Sequence, residues 1–310
     1  MNTNDKLIRE KLDMFTSDLN GGLLQGTQAR EFFQRAIKGN VLLPIIRTET
    51  VPEGGEHSMP RILFPNRILH AATEGQALPE AKRAVPVIDD IKLKTYEFIA
   101  HTRVTKKTLM RNIEQDRFKQ TLMDIIGKAV GRDMEEIALN GDTTSADPDL
   151  KLFDGMRKLA GNTVDHSAVK FGSATMSEMI GVLPVQFLQK RDQMGFFPSG
   201  HSEEYYRQEL AGRATGMGDA NQANKLELMY SGSMVRGVPQ MPENLSIPPN
   251  TTTEALLLNP DNAILGIEER IEMETFYDIR NRVLDIVTTV WFGFAYEEPE
   301  AVVRGYNLLA

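Results

Sequence analysis

The stretch from residue 56 to residue 100 constrains this chain most, because it reads as two strand-like runs joined by a long polar tip, with no core of their own. The outgoing run, Arg61 to Leu69, is bounded by Pro60 and interrupted by Pro65. The tip, His70 to Pro86, is small and polar. The return run, Ile88 to Ala100, sets Ile91 and Leu93 on one side and Lys92 and Lys94 on the other. An isolated two-stranded hairpin is marginal in water. Ordering roughly 40 residues costs about 1–2 kcal/mol each. At about 25 cal/mol per Å², offsetting that takes on the order of 1,600 Å² of apolar burial or more, the size of an ordinary protein interface. The hairpin is therefore expected to be ordered by neighbouring copies of the chain, which points to an assembly rather than a catalyst.

Composition narrows the partners. A chain of 310 residues with 41% hydrophobic content can bury a core as one large domain or two ordinary ones. Its formal charge of −8, with no run of five basic residues, argues against gripping nucleic acid through its phosphates. An acidic protein can still enclose DNA without gripping it. The absence of cysteine excludes disulfides, thiolate metal sites and cysteine nucleophiles. Met1 to Arg9 is polar and charged, unlike a secretory signal, and no apolar run approaches a membrane span. The protein is expected to be cytoplasmic when made.

Two short helical patterns occupy the first 40 residues. One carries Leu7, Ile8, Leu12 and Phe15; the other, Thr27 to Lys38, carries Phe32, Phe33, Ala36 and Ile37. They read as an N-terminal arm whose apolar spots dock on another subunit, or alternatively as two core helices. After the hairpin, Gln115 to Leu139 keeps a 3.6-residue period through Phe118, Leu122, Ile126, Val130 and Ile137. Asn140-Gly141 stops it, and either residue suits a left-handed cap. Thr175 to Gln189 reads as a helix kinked or split by Pro184, and Ser202 as the cap of a helix running to Leu210. The C-terminal part reads as strands: Ile267 to Thr275, the doubly apolar Val283 to Tyr296, and a last one from Val302.

Candidate chemistry is sparse. Gly212-Arg-Ala-Thr-Gly216-Met-Gly218 lacks the Lys and Ser or Thr of a phosphate loop and follows a helical segment, so it reads as a plain loop. The histidines at 57, 70, 101, 166 and 201 show no metal-ligand spacing. Asp89-Asp90, Glu135-Glu136, Glu268-Glu269 and Glu297-Glu298 are adjacent pairs whose members point apart, which suits solvated faces. No serine-hydrolase elbow occurs. No catalytic, metal or cofactor site is expected.

The order of segments resembles the major capsid protein of tailed bacteriophages with the Hong Kong-type fold, over nearly the whole chain. Thr73-Glu-Gly-Gln-Ala-Leu-Pro79 is similar to the tip of that family's extended loop. Phe98 to Leu109 leading into Asp116 to Asp142 resembles its return strand and spine helix, and Phe153-Asp-Gly155 the turn that follows. Glu209 to Gly216 and Val235 to Pro239 resemble axial-domain segments, and Glu272 to Val303 the closing strands.

The resemblance implies an α+β fold with an N-terminal arm over 1–55, an extended loop over 56–100 and two domains. The peripheral domain would comprise 101–164 and 262–299, with its spine helix at 115–139; the axial domain would comprise 165–261 and 300–310. It further implies a virion protein that self-assembles as pentamers and hexamers into an icosahedral shell around double-stranded DNA, without sequence-specific binding. A separate scaffolding protein and a portal would be partners, with no membrane involved. Phe32, Phe33, Glu74, Glu80, Lys82 and Arg83 are the candidate interface residues. The lysine, asparagine and glutamate that cross-link some relatives align with Leu78, Arg282 and Thr289, so assembly is expected to be non-covalent. With about 50 residues before the loop, removal of a large prodomain is not expected. An encapsulin-type nanocompartment shell is the alternative within the fold, and a soluble enzyme with a carboxylate site the alternative outside it.

Overall fold

The computed structural model describes residues 39–52, 56–64, 67–71, 74–75, 77–105, 118–212, 227–246, 251–268 and 272–310. Phe32, Phe33 and both N-terminal helical patterns lie outside the described residues, as do Thr73, 115–117, 213–218 and 247–249. The fold is α+β, organised around one long helix, α1 (Phe118–Asn140). Ile126, Val130, Met134 and Ala138 recur every four residues and form its buried stripe.

Glu135 breaks the solvated-face reading of the acidic pairs, because it is fully buried. Its carboxylate accepts the backbone N–H groups of Val41 (3.1 Å), Leu42 (3.0 Å) and Leu43 (3.3 Å), while Leu42 and Leu43 pack into the core beside α1. A carboxylate can be buried when several donors satisfy it. Burial still pushes its pKa above the ordinary glutamate value, against the opposing pull of those three N–H groups and of Arg236.

The helix stop differs from the left-handed cap that Asn140-Gly141 suggests, since neither residue has positive φ. Gly141 is needed for close approach instead. A Cβ there would sit 2.6 Å from the Phe153 carbonyl oxygen, and one on Gly155 would sit 2.7 Å from the Gly141 nitrogen. Gly155 donates to the Gly141 carbonyl (2.8 Å) and Met156 to that of Ala138 (2.8 Å), so the chain doubles back against the helix end.

Two sheets flank this hub. In the first, β12 (Val283–Tyr296) is central. Along one edge it pairs with β4 (Tyr96–Thr105). It also pairs with β10 (Ala263–Glu268) and β11 (Glu272–Asp278), which continue one another with a register shift where a single strand over 267–275 was expected. β1 (Arg47–Val51) adds in parallel to β10, so part of the stretch assigned to the arm belongs to this sheet. Phe98 stacks on Phe292 at 4.4 Å and Phe153 meets Phe292 edge-on, tying β4 to the turn after α1.

The second sheet runs β5 (Asn162–Lys170), β13 (Val303–Leu309), β9 (Thr252–Leu258), β6 (Gly195–Pro198), β8 (Ser233–Val235), β7 (Leu228–Tyr230). Every residue of β9 is buried. Leu256 and Leu258 face the core shared with α1, whereas Ala255 and Leu257 face a second core. That core is roofed by α2 (Ser173–Val182) and α3 (Gly200–Ala211). Pro184 does split the predicted helix, a 3₁₀ segment over Val185–Gln193 following it. The α3 cap is Ser199, whose Oγ accepts from the Ser202 N–H; Ser202 itself lies inside the helix, three residues later than the true cap.

Removing the Glu135 acceptor strands three backbone donors, so Glu135→Ala is expected to cost about 3 kcal/mol in urea unfolding. Glu135→Gln keeps an acceptor but removes the titration. With its folded pKa raised, the Glu135 contribution is full below the unfolded value of 4.5 and is lost as pH climbs through the folded value. Wild-type stability should therefore fall relative to the Gln variant as pH rises above 4.5. Parallel pH profiles would show that the carboxyl does not titrate in this range.

Candidate assembly surfaces

The hairpin of β2 (Glu56–Leu63) and β3 (Val87–Lys94) forms a sheet of its own, in register from Glu56↔Lys94 to Leu63↔Val87. Its outer apolar side chains are bare, Ile62 being 62% exposed, Ile88 67%, Val85 75% and Leu69 84%, whereas Met59, Ile91 and Leu93 pack against the body. Exposed apolar side chains on a projecting element are a candidate contact surface.

The return run is two strands, not one. β3 ends at Lys94 and β4 begins at Tyr96, where the chain leaves the hairpin for the main sheet. The elbow between them is tightly built. Leu93 is fully buried with Val51, Ile264 and Ala295. A Cβ on Gly266 would meet the Leu93 side chain at 2.7 Å, and one on Gly293 would run into the Lys94 carbonyl oxygen. Thr95 donates to Glu268 (2.6 Å), a second buried carboxylate that the acidic-pair reading placed in solvent. Arg61 reaches from β2 to the Glu297 carbonyl (2.8 Å), with Glu298 at 3.6 Å and Asp89 at 3.4 Å. The hairpin is thus held to the body from the elbow as far as Arg61, and its apolar side chains are exposed beyond that point.

The tip residues named from sequence are all exposed. Glu74 sits in a turn, while Glu80 and Lys82 share a short 3₁₀ turn, Glu80–Lys82, that Arg83 closes by donating to the Glu80 carbonyl (3.1 Å). No ion pair within the chain joins Glu80 to Lys82 or Arg83 among the described residues. Lys82 and Arg83 instead line a 440 Å³ concavity with Arg67, His70, Phe64 and Val85. Sequence reasoning missed Arg67 and His70. The pairing of Leu63 with Val87 is the signal that brings Phe64, Arg67 and His70 beside Lys82 to Val85, and it needs the strand register to be read.

Several polar groups elsewhere pair within the subunit. His166 is buried and bonds Glu178 (2.9 Å), and His201 bonds Glu243 (2.6 Å). Glu254 of β9 accepts from Arg157 (2.7 Å) and Arg304 (2.6 Å). Burial alone would raise its pKa, but the two arginines outweigh that and hold it below the usual glutamate value. Among the described residues no group of three or more acidic or histidine side chains is placed to hold a metal ion, and no helix is long and apolar enough to cross a membrane.

No protein-family model matches the sequence. The chain is, however, 31% identical over 303 residues to the putative prophage capsid protein YqbE of Bacillus subtilis (strain 168), covering 96% of each chain. The chain belongs to the phage capsid protein family. Solved capsid structures share its fold at lower identity. A chain of the satellite phage P4 procapsid matches 99% of it, and 98% of that chain, at TM-score 0.67 and 13% identity. A capsid chain of a native GTA particle matches 89% of it, and 91% of that chain, at TM-score 0.62 and 15% identity. The holo-SrpI encapsulin of Synechococcus elongatus PCC 7942 matches 86% of it, and 90% of that chain, at TM-score 0.54 and 10% identity. The Hong Kong-type capsid fold read from the order of segments is the fold found.

Within this capsid protein the three positions aligned with the cross-linking residues are scattered in chemistry as well as in type. Leu78 lies at the hairpin tip, Arg282 in the turn before β12 at φ 55°, and Thr289 inside β12 and buried. The elbow generates the sharper test. Gly293→Ala forces a methyl group against the Lys94 backbone, which has no flexible end to swing aside. Equilibrium urea unfolding should report a loss of about 2–3 kcal/mol. A change within 0.5 kcal/mol or so, typical of neutral surface sites, would mean that the crossing is loose.

Proposed function

We propose that this capsid protein is the major shell subunit of a phage or prophage head, assembling as pentamers and hexamers into an icosahedral shell that encloses double-stranded DNA. The observation that carries this reading is the projecting hairpin: it pairs only with itself, and its outer apolar residues Ile62, Leu69, Val85 and Ile88 are exposed in the subunit. A neighbouring subunit is the partner that completes it, with Lys82, Arg83, Arg67 and His70 adding charge to the contact. Each exposed ion pair is worth only about 0–1 kcal/mol, but a contact made by every subunit is repeated around the shell.

The subunit acts as a wall and not as a catalyst; its buried carboxylates are occupied in holding backbone and arginines. The net charge of −8 suits an inner surface that encloses DNA without gripping it. Scaffolding and portal functions fall to separate proteins, assembly is non-covalent, and the finished subunit resides in the virion. The full-length relationship to a prophage capsid protein favours a DNA-filled head over a nanocompartment.

Deleting 73–85 and closing the hairpin with a short turn tests the reading. Helix content and thermal melting of the isolated subunit should stay nearly unchanged, while shell closure, followed by electron microscopy, is lost or misdirected. Wild-type particles should run as a single monomer band in denaturing gels. Normal particles from the truncated protein would overturn the role given to the hairpin, and SDS-resistant multimers would overturn non-covalent assembly.

A further inference from the structure

β5 stands at one end of the second sheet, beside β13, and the two strands fall out of register partway along. Between the pairs Asp165↔Tyr306 and Val169↔Leu308, three residues of β5 stand against one of β13. Ser167 (φ 51°), Ala168 (φ 61°) and Asn307 (φ 55°) all lie in this bulge in the left-handed region, which is strained for residues that carry a Cβ. Such backbone persists only where its surroundings hold it. Asp165 Oδ1 supplies part of that hold, accepting from the Ser167 N–H (2.9 Å) and from the Asn307 side-chain amide (2.9 Å).

His166, at the start of the bulge, supplies another part, and its bonding is one-sided. The side chain is fully buried, with Nδ1 2.9 Å from Glu178 Oε2 on α2. Nε2 is also buried and has no hydrogen-bond partner among the described residues. It faces Gly305 of β13 and Met179 of α2: a Cβ on Gly305 would sit 2.8 Å from Nε2 and 3.1 Å from the Met179 sulfur. This bonding assigns the neutral ring, with Nδ1–H donating to Glu178 and only a lone pair on Nε2. A proton on Nε2 would turn that lone pair into a buried donor facing carbon and sulfur, which is costly. Glu178 does not offset the cost, because its side chain is 60% exposed and water screens its attraction for a charged ring. The other charged groups nearby are already engaged. Asp165, on β5, is held below the usual carboxylate value, chiefly by the Ser167 N–H, and stays ionised in mild acid. On β13, Tyr306 bonds Asp165 and Arg304 is paired with Glu254.

We propose that His166 is an acid-sensitive latch on the β5 edge. Seated as the neutral ring, it pins the strained bulge against β13 and α2. Protonated at Nε2, it turns out to water, the bulge relaxes, and the edge of β13 is uncovered. The latch does not depend on the shell reading, because every group in it belongs to one subunit.

Amide hydrogen exchange of the full-length subunit tests this at pH 7.5 and pH 5.0, either side of the ordinary histidine value of about 6.5, with rates corrected for the intrinsic effect of pH. In wild type, protection of 162–170 and 303–309 should fall about tenfold in acid relative to β12, as one unmet buried donor would cause. His166→Asn keeps a donor near the Nδ1 position and cannot take up a proton, so its protection should not respond to pH. Glu178→Gln keeps an acceptor for the neutral ring and removes the nearby carboxyl, so the acid loss should persist. That variant decides the matter should His166→Asn leave the edge unprotected at both pH values. Equal protection of wild-type β5 at both pH values would overturn the proposal. So would an acid loss that persists in a folded His166→Asn edge or one that β12 shares equally. A loss that vanishes in Glu178→Gln would overturn it too, by making that carboxyl the titrating group.

Discussion

The crossing of residues 93–95 over Gly266 and Gly293 is the constraint on which the shape of this subunit depends. Here one continuous run of chain changes allegiance, from a hairpin paired only to itself to the long central sheet. Two glycines without side chains let the backbones approach, Leu93 fills the space beneath, and Thr95 hands a hydrogen bond to the buried Glu268. Arg61 braces the other strand against the 297–298 turn. A hairpin held this way at one end has a fixed direction of departure, while Ile62, Leu69, Val85 and Ile88 beyond it stay exposed.

Behind the elbow the body is held by buried carboxylates that sequence inspection would leave in solvent. Glu135 gathers the backbone of residues 41–43 onto the long helix, and Glu254 gathers two arginines from the segment after the helix and from the last strand. The two respond oppositely to burial. Glu135 is met chiefly by neutral amides and its pKa rises, whereas Glu254 is met by two guanidinium groups and its pKa falls. β9, buried on both faces, contributes Leu256 and Leu258 to one core and Ala255 and Leu257 to the other.

Much of this was legible in the sequence. The 3.6-residue period placed α1 within a residue or two of its observed end, the doubly apolar run matched β12 over Val283–Tyr296, and Pro184 broke its helix as proline geometry requires. What stayed hidden depends on contacts distant in the chain. Nothing local shows that Thr95 ends one strand pairing and starts another, since both neighbours alternate alike. Glu135 and Glu136 are adjacent and identical in type, and only the arrival of residues 41–43 buries one of them. Gly141 looked like a conformational requirement and proved to be a steric one. At the tip, Lys82 and Arg83 were visible as charges, but their company with Arg67 and His70 required the hairpin register.

The central claim is that the subunit fold ends at the elbow and that the hairpin beyond it is completed by other copies. Amide hydrogen exchange compared between unassembled subunits and assembled particles tests this most directly. Slow exchange is expected at 93–95 in both states, with the outer ends of the two strands, residues 62–64 and 83–88, exchanging fast in the free subunit and becoming protected in the particle. Equal protection of those strands in both states would contradict it, because the hairpin would then owe its order to its own subunit alone.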